Sequence, residues 1–369
     1  MKYLKKVQNV EEYNTFIVSS AFTLPNVTKI VNAGGGNYDV KYNPKEEGNY
    51  LWFFALGEGD ISFTIPANNP SANFPYISYS TDNGENWTTE THSDGVETVA
   101  TVHLSAAGSV MFKAECVSGT NWNSAGTEDS SYPARFSSTM PVNLGGNLAS
   151  LMYGDDFEGK KTMKVTATHA FFKLFSEMDI VHAKNLCLPY TTLNLGIYQR
   201  LFSKCKKLVD APQLNATTIY QQCYVRMFEY CDSLVIPPTL PAKKGAKSGY
   251  TRMFEGCVSL VNAPSIELTT TGGSAVCTMM FKGCSSLQSS PELKITSLGT
   301  AAYNYMFSGC SSLNYVKALF TTTPGTGTTK GWLTGVTQNG TFVKNSSATW
   351  DGSITRGAHT VPENWTITT

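Results

Sequence analysis

The chain predicts a mainly β protein with short helices. It reads as an N-terminal β-sandwich-like domain, a stacked solenoid and a small C-terminal capping module. Three observations predict this. One eight-residue pattern recurs five times at a fixed period in the second half, the signature of units that stack. Short alternating apolar segments between turn residues fill the first half. Only 15% of the 369 residues are charged while Gly, Ser, Thr and Asn are abundant, the balance of a β-rich surface protein. The divisions fall at residues 1–45, 46–165, 166–318 and 319–369.

Residues 1–45 read as an anchoring leader. Val7 to Thr15 suits a short helix, Leu24-Pro25-Asn26 breaks it, and Gly34-Gly35-Gly36 makes a turn. No GK[ST] follows these glycines, so they do not form a phosphate loop. After the basic start Met1–Lys6, polar residues such as Gln8, Asn9 and Glu11 stand where a secretory signal needs its apolar core. The expectation is a chain exported by another route or carried in a virus particle. No apolar run reaches bilayer length, so no membrane insertion is expected. The 28 basic and 28 acidic residues cancel, which argues against a nucleic-acid partner.

In the second division, Leu51–Leu56 reads as a buried strand. Ile61–Ile65, Tyr76–Ser80, Val96–Leu104 and Val110–Ala114 continue the pattern as an antiparallel sandwich. Ser80-Thr81-Asp82-Asn83-Gly84-Glu85-Asn86-Trp87 resembles the Asp-box of sialidases, S-x-D-x-G-x-x-W. Sialidase-like propellers carry several copies and this chain has one. A hairpin-turn role for Asp82 and Gly84 is the expectation. Arg135 is the only arginine before Arg200, so the sequence offers no arginine cluster to hold a carboxylate.

The repeats align on Phe202, Phe228, Phe254, Phe281 and Phe307, in steps of 26, 26, 27 and 26 residues, with a worn copy at Phe175. Three residues later stand Cys205, Cys231, Cys257, Cys284 and Cys310. Tyr224, Met227, Phe228 and Cys231 fall at i, i+3, i+4 and i+7, which predicts one face of a short helix. Gly256, Gly283 and Gly309 suit a left-handed stop near its end. Pro212, Pro238, Pro264 and Pro291 prevent further helix, and each unit reads as helix, turn, short strand, turn. No unit alone can bury its Met-Phe-Cys-Leu face, so these columns form the structural core. The cysteine column reads as buried thiols, although disulfides between neighbouring units are also within reach. No CxxC pair exists, so zinc-site spacing is absent.

These units resemble the BspA-like leucine-rich repeats, in the variant marked by MF-x-G-C-x-S-L and a following aPxL, as in Pro212-Gln213-Leu214 and Pro291-Glu292-Leu293. The resemblance covers about residues 166–318 and departs at Val235–Pro238 and Lys243–Lys247. Gly146-Asn147-Leu148-Ala149-Ser150-Leu151-Met152-Tyr153-Gly154-Asp155 is similar to the junction before such repeats in proteins of Bacteroides-group gut bacteria and their phages. Thr341–Asn345 with Val361–Trp365 is similar to their closing module, and the leader to a short module on virion proteins of such phages.

The five histidines lie far apart, no GxSxG elbow exists, and no cofactor is expected. The expected function is that of a non-enzymatic phage virion protein, a capsid- or tail-associated fibre or decoration on the virion surface. Residues 1–45 would bind other virion proteins and support a homo-oligomer, while the repeats meet a host-surface glycan or protein. The alternatives are a BspA-like bacterial cell-surface adhesin and, third, a glycan-cleaving enzyme. Binding freedom lies in the loops between each Pro and the next aromatic. One holds Lys243, Lys244 and Lys247, which is either a solvated turn or a contact for an acidic host group.

Overall fold

The computed structural model describes residues 48–72, 74–115, 133–163, 168–321, 323–350 and 361–369, together with four short strands between residues 4 and 42. Those strands are β1 (Leu4–Lys5), β2 (Thr15–Val18), β3 (Val27–Gly34) and β4 (Asn37–Tyr42). They form an antiparallel sheet in the order β1-β2-β4-β3. The helix expected over Val7–Thr15 lies outside the described residues except for Thr15, which begins β2.

The next segment supplies β5 (Leu51–Ala55), β6 (Gly59–Ile65), β7 (Tyr76–Ser80), β8 (Thr88–Thr91), β9 (Thr98–Leu104), β10 (Gly108–Ala114), β11 (Arg135–Ser138) and β12 (Val142–Asn147). A four-residue helix, α1 (Ser150–Tyr153), follows, and then β13 (Ile180–Cys187). Two sheets result, β13-β12-β5-β10-β7-β8 and β11-β6-β9. Strand β5 lies inside the larger sheet with all five residues buried, hence its unbroken apolar run. Strand β6 alternates instead, burying Ile61, Phe63 and Ile65. Phe136 packs between the sheets, 4.5 Å from the ring of Phe63, 4.8 Å from Phe53 and 4.9 Å from Phe112.

Strand β12 turns the chain towards the repeats. It runs antiparallel to β5 on one side and parallel to β13 on the other. A Cβ on Gly145 would lie 2.2 Å from the Trp52 ring, so the Gly145 position accepts no side chain. Phe175, the first ring of the repeat column, touches Phe136 at 5.7 Å and joins the sandwich core to the repeat core.

Beyond β13 the copies lie face to face. Phe202, Phe228, Phe254, Phe281 and Phe307 succeed one another at ring separations of 5.5–5.6 Å, within a few degrees of parallel. Phe171, Tyr198, Tyr224 and Tyr250 form a second ladder at 5.6–5.9 Å. Each column ring is buried, contributing about 1.5–3 kcal/mol.

The backbone that carries these rings is not the expected helix. Met227 N–H donates to the Tyr224 carbonyl (3.2 Å) and Cys231 N–H to that of Phe228 (3.2 Å), closing turns within the unit. Alternate amides between them reach the next unit, Phe228 to the Met253 carbonyl (2.9 Å) and Tyr230 to that of Glu255 (2.7 Å), while Glu229 N–H turns back to the Arg226 carbonyl (3.3 Å). Every fourth residue is left-handed, as at Gln222 (φ 60°), Arg226 (φ 56°) and Tyr230 (φ 55°). The result is a ribbon of consecutive turns, and α1 is the one α-helix among the described residues. A left-handed non-glycine residue costs roughly 1–2 kcal/mol. The bonds to the next unit offset that cost. Gly256, Gly283 and Gly309 take the left-handed conformation expected of them, at φ 75–78°.

The expected strand after each leucine is mostly a single bridge, such as Asp210 with Ile236 or Asn262 with Ser289. Full pairing appears near the C-terminus, where β14 (Ser289–Leu293), β15 (Tyr315–Ala318), β16 (Thr341–Lys344) and β17 (Thr366–Thr368) form a parallel sheet in chain order. The bonding continues past residue 318, since Phe307 N–H donates to the Trp332 carbonyl (2.9 Å). Buried Trp365 lies over Gly340 and donates its indole N–H to the Thr337 carbonyl (3.0 Å).

Candidate recognition site

Lys243, Lys244 and Lys247 occupy an exposed loop between buried Leu240 and buried Tyr250. Inter-unit bonds hold the loop. Gly245 N–H donates to the Thr270 carbonyl (2.9 Å), Thr269 N–H to that of Lys243 (2.8 Å) and Gln222 N–H to that of Lys247 (3.1 Å). A Cβ on Gly272, which has φ 59°, would stand 1.8 Å from the Gly245 carbonyl oxygen. Two bare backbones therefore pack together beneath the loop.

Above them lies an open groove of about 430 Å³. Lys244 and Lys247 line it beside Tyr220, Gln221 and Thr218. Tyr220 is 59% exposed, a large ring presented to solvent. Lys243 is exposed on the same loop but does not line the groove. Two ammonium groups, an amide, a hydroxyl and an aromatic face can meet an acidic, polyhydroxylated surface. The charges supply attraction and the ring supplies amphipathic contact.

The phenylalanine and cysteine columns face inward. The thiols of Cys205, Cys231, Cys257, Cys284 and Cys310 donate to the carbonyls of Phe175, Phe202, Phe228, Phe254 and Phe281 at 3.0–3.1 Å. All five are free cysteines. Burial pushes the Cys310 thiol from 9.0 up to about 12 and raises the other four as well. Such thiols are poor nucleophiles.

The Asp-box segment is a turn between β7 and β8. Ser80 donates its hydroxyl to Asp82 (2.6 Å), Asn86 donates its backbone N–H to the same carboxylate (2.9 Å), and the Trp87 indole donates to the Gly84 carbonyl (3.0 Å). The Ser80 and Asn86 bonds hold the Asp82 carboxyl down at about 2. Lys113 lies 4.2 Å over the Trp87 ring and pairs with Asp155 at 2.6 Å. Ser80, Asp82, Asn86 and Trp87 are thus committed to the architecture of the turn.

Among the described residues, no three His, Cys, Asp or Glu side chains gather as a metal site. No described helix is long and apolar enough to cross a membrane. His182 pairs with buried Asp210 at 2.6 Å, and Asp210 also accepts the amides of Ala183 and Lys184, a clamp where β13 meets the next unit.

Sequence reasoning missed one concavity. Arg135 and Arg200, far apart in the chain, line a single cavity of about 340 Å³ where the sandwich meets the first repeats. No linear motif marks it, because tertiary bonds create the proximity, Phe136 N–H to the Leu174 carbonyl (2.9 Å) and Lys173 N–H to that of Gln199 (3.2 Å).

No protein-family model matches the chain, and no similar curated protein or solved structure was found.

Proposed function

We propose that this chain is a non-enzymatic phage virion protein, a capsid- or tail-associated fibre or decoration that presents a BspA-like leucine-rich-repeat solenoid for host-surface adhesion. One observation carries the reading. The Phe, Met, Cys and Leu columns are buried unit after unit, while the loop bearing Lys243, Lys244 and Lys247 is exposed above a groove. Core and contact surface are therefore separate, so the surface can change without disturbing the stack. The repeats, the Gly146–Asp155 junction and the closing module resemble proteins of Bacteroides-group bacteria and their phages, and the resemblance of the leader to a short module on virion proteins of such phages supports the virion setting.

In this reading residues 1–45 bind other virion proteins and bring copies together as a homo-oligomer. Strands β1 and β3 stand at the edges of the leader's sheet, and a sheet edge is a natural place for a partner strand. Deletion of residues 1–45 is expected to abolish particle attachment and leave the rest folded. A truncated chain that still decorates particles overturns the anchor. Replacing Lys243, Lys244 and Lys247 with Ser is expected to weaken host-cell binding at low salt with the melting temperature unchanged. Unchanged binding at low salt removes the loop from recognition.

The repeats support a second setting equally, a BspA-like adhesin on a bacterial surface, which particle composition distinguishes. The third reading, glycan cleavage, rests on the Asp-box turn alone. A mass shift on incubation with host glycans would revive it.

A further inference from the structure

We propose that the cavity between the sandwich and the first two repeats binds a carboxylate-bearing sugar. The proposal deepens the adhesion reading and rests on it for the biological setting of the ligand.

The site is built from backbone outwards. Pairing of β11 with β6 sets Arg135 opposite Thr64, with Arg135 exposed and Phe136 buried. Phe136 N–H donates to the Leu174 carbonyl (2.9 Å), which brings Arg135 up to the unit that carries Lys173. Lys173 N–H then donates to the Gln199 carbonyl (3.2 Å) and Glu177 N–H to that of Ser203 (2.9 Å), placing Arg200 and Lys204 one unit along. Lys173, Glu177, Arg200 and Lys204 are all left-handed residues, at φ 55–68°. The turn ribbon thus presents four successive charged positions along one wall.

Charge decides the ligand's sign. Four cationic side chains, Arg135, Lys173, Arg200 and Lys204, line the cavity against two carboxylates, Glu97 and Glu177. Four against two leaves a formal excess of two positive charges. Glu177 is engaged by Lys204 at 3.0 Å, and that contact leads the influences holding its carboxyl below the usual range.

Comparison along the stack shows what is special here. Further along the stack the same places hold Arg226 with Glu229 (3.3 Å) and Arg252 with Glu255 (3.4 Å), and Glu255 also meets Lys282 of the next unit (3.0 Å). In the cavity the cation at this place is Lys173, with Ser176 where the later units carry the acid, and Ser203 follows one unit on. The Ser176 hydroxyl donates to the Ser203 carbonyl (2.9 Å) and the Ser203 hydroxyl to Glu229 (3.4 Å), so their oxygens remain as acceptors. A guanidinium fork matches a carboxylate, and hydroxyl and carboxylate acceptors match sugar hydroxyls. A cavity of about 340 Å³ lies in the range of small-molecule sites, about 300–1,000 Å³. Its polar wall suits a sugar better than an apolar ligand.

Calorimetric titration of the purified full chain at low salt tests this, with glucuronate as probe, glucose as its neutral counterpart and inorganic sulfate as a bare anion. Saturable glucuronate binding is expected, with glucose at least about tenfold weaker. Arg135→Gln is expected to weaken glucuronate at least about tenfold with the melting temperature unchanged. Lys173→Gln provides the same test should Arg135→Gln disturb folding. The inference is overturned by absence of saturable glucuronate binding, by equal binding of glucose or sulfate, or by full affinity in both variants. Host cells play no part in this measurement. Lost glucuronate binding with intact adhesion sinks this inference alone, whereas glucuronate binding without adhesion sustains it and sinks the adhesion reading.

Discussion

The sandwich and the repeats bury aromatic rings in two different ways. In the sandwich, Phe53 meets Phe112 at 89° and Phe63 meets Phe136 at 56°, each ring wedged among several others. In the repeats, Phe254 lies between Phe228 and Phe281 at 7° and 4°, both at 5.5 Å. One core is a three-dimensional jigsaw and the other is a column. The difference teaches where variation is tolerated. A jigsaw ties every position to many others, whereas a column asks one thing of each unit and leaves its loops free.

Phe136→Ala is the hardest blow to that contrast, because its ring touches Phe53, Phe63, Phe112 and also Phe175 of the column. The expected cost is at the upper end of about 3–5 kcal/mol, with both regions losing hydrogen-exchange protection together. Phe254→Ala is expected to cost about 3 kcal/mol and to loosen the neighbouring repeats while the sandwich stays protected. Thermal unfolding that matched the parent would place Phe254 outside the core and break the register.

Two glycines sharpen the comparison within the repeats. Gly272→Ala puts a Cβ against the Gly245 carbonyl at a left-handed position and is expected to cost about 2 kcal/mol, read from the urea midpoint. Gly283→Ala meets nothing closer than 3.8 Å, and Lys204 and Tyr230 already tolerate the same conformation in their units. Its expected cost is about 1 kcal/mol. Equal costs would mean that close approach of backbones plays no part beneath the lysine loop.

A gentler test uses alkali. Burial pushes the thiols of Cys223 and Cys310 from 9.0 up to about 12 in the folded chain. The unfolded chain gives up these protons first. Their contribution to stability is therefore whole below pH 9 and lost progressively as pH rises from 9 towards 12. Urea midpoints are expected to fall across that window, and less so when Cys310 is replaced by Ala. A flat profile would mean that these thiols are accessible.

Much of this was legible in the residues. The spacing of Phe202 to Phe307 places the ring column, and Ile61–Ile65 and Tyr76–Ser80 stand where strands form. The helix was misread for a definable reason. Tyr224, Phe228 and the cysteine three residues on share one side of a helix, but also of a turn ribbon whose left-handed residue recurs every fourth position. Side-chain spacing does not separate the two, and only the alternate amides reaching the next unit do. Strand β12 left no strand signal because Val142–Asn147 is rich in Gly and Asn, and its burial comes from partners on both sides. Of the lysine loop, exposure was foreseeable, but the groove was not, because its other wall, with Tyr220 and Gln221, comes from the preceding unit. The meeting of Arg135 with Arg200 depends on tertiary pairing and left no trace in the linear order.

The most direct measurement is the composition and labelling of purified phage particles. Mass spectrometry of particles, with electron microscopy using an antibody against the Pro241–Gly249 loop, is expected to find the chain in the virion with label on its exterior. Particles that lack the chain, with the same antibody decorating bacterial cells free of any prophage, would contradict a virion role and leave the cell-surface adhesin in its place.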